Sequence, residues 1–210
     1  MSRLATSDIP IRRVSFEQAL ADLPKHFADG DLLSSHLIAT LSSVFPDGED
    51  FFVRSVRHYR AQITDPQLKA DINALIGQES VHGREHRIFN ERLAQLGYPT
   101  KRRERTTRKG LAALEKRESP EVCLAVTAAL EHFTACLGEM MLRDDALEGY
   151  IGNEHVRQLL LWHALEETEH KAVAFDVYRA IGGSEKIVIL LFGPAVNLCD
   201  NRREDGRSRR

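Results

Sequence analysis

Apolar residues recur at three- and four-residue spacing along most of the chain, and no segment alternates as a strand does. The pattern predicts an all-α protein with four long helices, at about 46–63, 66–96, 120–147 and 153–181. Shorter helices are expected at 15–22 and 31–44. Local chemistry marks the ends. Pro46 suits a first helical turn, and Asp65-Pro66 supplies an N-cap followed by an N1 proline. Ser119-Pro120 repeats that start, and Asn153 can cap the fourth helix. Gly97 and Gly182-Gly183 stop the second and the fourth.

Short turns join helices one and two, and helices three and four, so each pair should form an antiparallel hairpin. A long connection over 98–118, with a short helix inside it, separates the hairpins. Two hairpins joined by one long crossover form the ferritin-like variant of the four-helix bundle. The organisation predicted is an extended, loosely held N-terminal arm (1–14), a ferritin-like helical bundle (15–182), and a C-terminal apolar helix with a polar tail (183–210).

The seams of the long helices carry the chemistry. On helix two the inward positions read Leu68, Ile72, Leu75, Glu79, His82, His86, Phe89, Leu93 and Leu96, apolar at both ends and ionisable in the middle. On helix four they read Val156, Leu160, His163, Glu167, His170, Ala174, Val177 and Ile181. Helix one places a single acid, Glu49, on its apolar stripe, and helix three places Glu131. Four carboxylates and several imidazoles in one core would be costly without a compensating positive charge. Metal cations supply such charge.

Residues three apart share a helix face, so Glu79 with His82, and Glu167 with His170, each direct two ligands inward. One Glu from each of two helices, plus Glu-x-x-His from each of the other two, is the di-iron or di-manganese carboxylate pattern. Depth along the bundle agrees. At a rise of ~1.5 Å per residue, each acid lies about 20 to 27 Å from its hairpin turn, level with its partner. His86, one turn beyond His82, and Glu166, beside Glu167, are expected behind the ligands. A satisfied core histidine is an equal reading for His86.

Four segments carry a resemblance: FPDGEDFF (45–52), QESVHGREHRIFN (78–90), LEHFTA (130–135) and WHALEETEHKAVAFDVY (162–178). They resemble a bacterial family labelled predicted metal-dependent hydrolase, over about residues 10–182. The ligand pattern also resembles ferritin-like di-iron carboxylate proteins. The run His163-x-x-x-Glu167-x-x-His170 resembles the di-iron arylamine N-oxygenases, which implies His163 as a seventh ligand. The expected metal set is therefore Glu49, Glu79, His82, Glu131, His163, Glu167 and His170, holding two iron ions, with manganese as the alternative.

Three chemistries suit such a site. The first is activation of dioxygen to oxidise or oxygenate a small organic substrate. The second is hydrolysis by a metal-bound water, as the resembled family's label implies. The third is a non-catalytic metal-binding protein. Absence of a Gly-x-Ser-x-Gly, Walker or dinucleotide motif leaves nucleophilic-serine and nucleotide chemistry without support.

Composition adds limits. A formal net charge of −2 argues against nucleic acid as the partner. The basic run at 101–109 has no aromatic residue and reads as a solvated face. Cys123, Cys136 and Cys199 lack zinc-type spacing and read as small buried residues of a cytoplasmic protein. The first residues show no apolar signal segment. The stripe at 187–192, too short to span a bilayer, reads as a helix covering the bundle. A homodimer or membrane-surface contact through 187–199 is the second reading.

Overall fold

Seven α-helices make up the regular structure of the described chain, and no strand is present among the described residues. In order they are α1 (Leu32–Ser42), α2 (Phe45–Tyr59), α3 (Pro66–Gln95), α4 (Thr100–Arg117), α5 (Pro120–Arg143), α6 (Glu154–His170) and α7 (Val173–Ala180). The computed structural model describes residues 7–143, 151–184 and 187. The marked helix starts hold. Asp65 accepts a hydrogen bond from Gln67 N ahead of Pro66, and Asn153 accepts from the backbone of His155 and Val156. Gly97, at φ 95°, ends α3 in a left-handed conformation that side-chain-bearing residues rarely adopt.

α2 packs along α3, and α5 packs along α6 and α7, so both expected hairpins form. The result is an all-α helical bundle. Its interior has three layers. Ile72 and Leu75 of α3 join Val56, Leu124, Val173 and Val177 in one apolar cluster. Phe89 and Leu93 join Val156, Leu159 and Leu160 in another. Between them, on the same helices, lies a buried layer of carboxylates and imidazoles.

Several boundaries differ from the sequence reading. The first core helix stops at Tyr59 rather than 63. Residues 17–22 form successive turns instead of a helix, with Leu20 N bonded to Phe16 O at 2.9 Å and Leu23 N to Leu20 O at 3.3 Å. The crossover contains an 18-residue helix, α4, packed on α2 and α3, where a short one was expected. Its basic run is largely exposed, and Arg108 reaches back to Asp47 of α2 at 2.9 Å. The fourth core helix is interrupted at Lys171-Ala172, directly after His170, although neither Gly nor Pro marks the break. The end of the third helix at 144–147 and the apolar segment 188–199 lie outside the described residues.

The described part of the N-terminal arm, residues 7–14, is anchored rather than loose. Phe16 N donates to Glu85 at 2.7 Å, and Gln78 donates to Pro10 O at 2.9 Å. Arg12 pairs with Glu166 and Glu169. The cysteine reading holds for Cys123, a buried free thiol. Cys136, read as buried, is half-buried instead, and Cys199 lies outside the described residues. One described helix, α5, is long and apolar enough to cross a membrane, yet its inner side carries the buried Glu131 into the bundle.

α5 and α6 approach closely at the level of the polar layer. A Cβ on Gly138 would stand 2.8 Å from the carbonyl oxygen of Ala164. Gly138 therefore sets the separation of the helix carrying Glu131 from the helix carrying His163 and Glu167.

Candidate metal centre

The polar layer holds all seven expected ligands, each at most 4% exposed. They form two groups of donors, Glu49–His82–His163 and Glu79–Glu167–His170, whose nominated ligand atoms lie within 4.8 Å of one another inside each group. Glu131 joins the second group, with Oε2 3.0 Å from His170 Nε2.

Two carboxylates straddle the groups. Glu79 places Oε1 3.0 Å from His170 Nε2 and Oε2 3.7 Å from His82 Nδ1. Glu167 places Oε1 2.9 Å from His163 Nε2 and Oε2 3.7 Å from His170 Nε2. Each thus offers one oxygen to either side. Of the two Glu-x-x-His pairs, Glu79 and His82 fall in different groups, whereas Glu167 and His170 stay together.

Apart from His163 Nε2 and Glu167 Oε1, which hydrogen-bond at 2.9 Å, the donor atoms converge without satisfying each other. Both oxygens of Glu49, Glu79 and Glu131, together with His82 Nδ1 and His170 Nε2, are buried with no hydrogen-bond partner. Orphaned polar atoms of this number are costly in a folded core. His170 Nε2 stands 3.0 Å from two carboxylates, yet neither contact has hydrogen-bond alignment. Groups that point at a common centre rather than at one another suit cation binding, and mixed carboxylate–imidazole donors fit a divalent metal ion.

The outward-facing nitrogens are all occupied, which fixes the rings. His82 Nε2 pairs with Glu166 Oε2 at 2.9 Å, leaving Nδ1 to face inward. His170 Nδ1 donates to Gln78 Oε1 at 2.8 Å, leaving Nε2 inward. His163 Nδ1 meets His86 Nε2 at 2.7 Å, and His86 Nδ1 meets Ser42 Oγ at 2.8 Å. Glu166 and His86 thus stand behind His82 and His163. Carboxylates and other acceptors behind a ligand imidazole hold its tautomer and raise its basicity. Thr134 Oγ1 donates to Glu167 Oε2. The Phe45 ring, 4.5 Å from His163 and 4.8 Å from His86 between centroids, and Trp162, 4.9 Å from His82, wall the imidazoles with apolar surface.

In the metal-free chain, protons hold the charge balance. Burial and the neighbouring Glu79 push the Glu49 carboxyl well above its ordinary range. Burial also lifts Glu131, to about 8, although His170 opposes it. Burial disfavours charge on His82, but Glu166 and Glu79 outweigh it and raise the imidazole to about 10. His170 is likewise raised against burial, by Glu131 and Glu79. His86, buried and near other imidazoles, is held well below its ordinary value and stays neutral.

The sequence reading missed Gln78, Ser42, Asn90, Glu169 and Arg12. Gln78, His82, His86 and Asn90 lie on one i, i+4 ladder of α3, all buried, so a search for polar residues every fourth position would have found two of them. Arg12 reaches Glu166 across 154 residues of sequence, and no local pattern announces that.

A family model described as predicted metal-dependent hydrolase matches residues 10–198. No curated protein and no solved structure shows significant similarity to the chain.

Proposed function

The chain belongs to the predicted metal-dependent hydrolase family, and we propose that it is a dinuclear metal enzyme whose two ions, iron first and manganese second, activate dioxygen to oxidise or oxygenate a small organic substrate. The observation that carries this reading is the placing of Glu79 and Glu167, each with one oxygen toward either donor group. Glu49, His82 and His163 would hold one ion. Glu131 and His170 would hold the other, with Glu79 and Glu167 shared. Iron there would supply the electrons and open coordination positions that dioxygen chemistry requires.

The protein's own residues perform the supporting work. Glu166 and Gln78 hold the His82 and His170 rings in the tautomers that face inward. Thr134 binds one oxygen of Glu167 and limits its swing. Phe45 and Trp162 keep bulk water from the imidazoles. Donors that are 0–4% exposed favour small reactants. The carboxylate-rich helical bundle, similar to ferritin-like di-iron proteins, favours oxygen chemistry over hydrolysis.

Hydrolysis is the second reading, favoured by the family's description. The test exposes anaerobically reduced, iron-loaded protein to dioxygen. Oxygen uptake coupled to iron oxidation, with a transient visible absorption band, is expected. No uptake, together with ester turnover that Glu79→Ala abolishes, would establish hydrolysis instead.

A further inference from the structure

The two donor groups share more than Glu79 and Glu167. Behind His82 stands Glu166, fully buried, whose second oxygen, Oε1, accepts from Arg12 Nη1 at 3.1 Å. Behind His170 stands Gln78, whose amide oxygen accepts from His170 Nδ1. The Gln78 amide nitrogen donates to Glu169 Oε2 at 2.9 Å. Glu169 is held by the same arginine, through Nη1 at 2.7 Å and Nη2 at 2.6 Å. One planar guanidinium therefore terminates both hydrogen-bond chains, Glu166–His82 on one side and Glu169–Gln78–His170 on the other.

The arm is seated for this purpose by its neighbours. Pro10 O takes the other amide hydrogen bond of Gln78. Ile11 lies against Gly77, where an added Cβ would stand 2.4 Å from Ile11 Cδ1. A flat, five-donor fork suits a site that must hold two carboxylates at set angles, which an ammonium cannot reproduce.

We propose that Arg12 is a shared positioning residue for both metal positions, and that docking of the N-terminal arm orients His82 at one and His170 at the other. This rests on the dinuclear reading above. Glu166 and Gln78 fix ring orientation, and Arg12 fixes Glu166 and, through Glu169, Gln78. Loss of Arg12 frees both at once. Partners behind metal ligands typically contribute about 10–100-fold in affinity, so removal of Arg12 should weaken both positions by that order.

The test is Co(II) titration of the full chain, followed by visible absorption, which reads each position's coordination independently of turnover. Wild type should bind two Co(II). Arg12→Ala should keep its helical circular dichroism, lose affinity at both positions, and show altered absorption bands. Because the Arg12 side chain is 33% exposed, millimolar guanidinium should restore binding in Arg12→Ala. Arg12→Lys should recover it only partly. Should Arg12→Ala fail to fold, Glu169→Ala removes the acceptor for Gln78 while Arg12 keeps its bond to Glu166, and should weaken only the Glu79–Glu167–His170 position. Wild type that binds no Co(II) would overturn the dinuclear reading and this inference with it. Two tight sites in wild type, with Arg12→Ala unchanged or weakened at one position only, would overturn this inference alone. So would Glu169→Ala affecting both positions or neither.

Discussion

His86 Nε2 lies 2.7 Å from His163 Nδ1, so one proton is shared between two buried imidazoles. Its owner follows from the far end of the chain. Asn90 donates to Ser42 O at 3.1 Å, which turns its Oδ1 toward the Ser42 hydroxyl, and that hydroxyl gives Oδ1 its one proton at 2.7 Å. Ser42 Oγ then accepts from His86 Nδ1, and His86 Nε2 accepts from His163 Nδ1. His163 Nε2 is left with a lone pair facing Glu167 Oε1 at 2.9 Å. A lone pair against a carboxylate is repulsive unless a proton or a metal ion lies between them, so the two atoms need an added proton to hydrogen-bond in the metal-free chain and suit a cation in its place.

This chain gives a first prediction. His86→Ala removes the acceptor for His163 Nδ1 and opens space beside Phe45. Metal at the Glu49–His82–His163 position should weaken about 10–100-fold while the other position holds. His163→Ala should act on the same position more severely. Stepwise titration separates the two, and equal loss at both would contradict the assignment.

Glu79 gives a second. Glu79→Ala deletes a donor from both groups and leaves His170 with Glu131 alone at 3.0 Å. Bound metal should fall from two ions per chain to one or none, and turnover should vanish. Glu91→Ala, on the exposed pair with Lys101, serves as the control and should change stability by less than about 1 kcal/mol.

A third prediction concerns pH. Glu131 holds its proton to about 8 and His82 to about 10 in the folded metal-free chain, whereas unfolded Glu and His release theirs near 4.5 and 6.5. Between pH 7 and 9 the folded state therefore binds more protons, and raising pH must favour unfolding. Each such proton changes stability by roughly 1.4 kcal/mol per pH unit, so thermal unfolding in chelator should fall by several degrees over this window. Bound metal displaces those protons, so metal affinity should rise over the same window. A metal-free melting temperature that is flat or climbs from pH 7 to 9 would contradict this charge balance.

Packing supplies a fourth. Gly138→Leu forces a side chain into the 2.8 Å gap against the Ala164 backbone. Overpacking of this kind costs about 1–3 kcal/mol. The displaced α5 should also carry Glu131 away from His170, seen as weaker metal binding at that position with lowered thermal stability. Unaltered binding in the folded variant would show that α5 does not set this distance.

Much of this centre is legible in the chain because helical spacing ties residue number to direction. Glu79, His82 and His86 fall inward for the same reason that Leu75 and Phe89 do, and Glu49 and Glu131 are conspicuous acids on apolar stripes. What spacing does not carry is side-chain torsion. That Glu79 and Glu167 face both groups depends on how each carboxylate is turned, which its neighbours decide. Nor does local sequence reveal Arg12, whose partners lie on a helix at the other end of the chain, or the break after His170, which no Gly or Pro announces.

The buried carboxylates and imidazoles would together hold two cations. Metal analysis of the protein purified from cells supplied with iron or manganese tests this most directly. Close to two ions per chain, falling in Glu79→Ala, is the result predicted. Wild-type protein that is essentially metal-free, remains folded and takes up no metal on titration would contradict it.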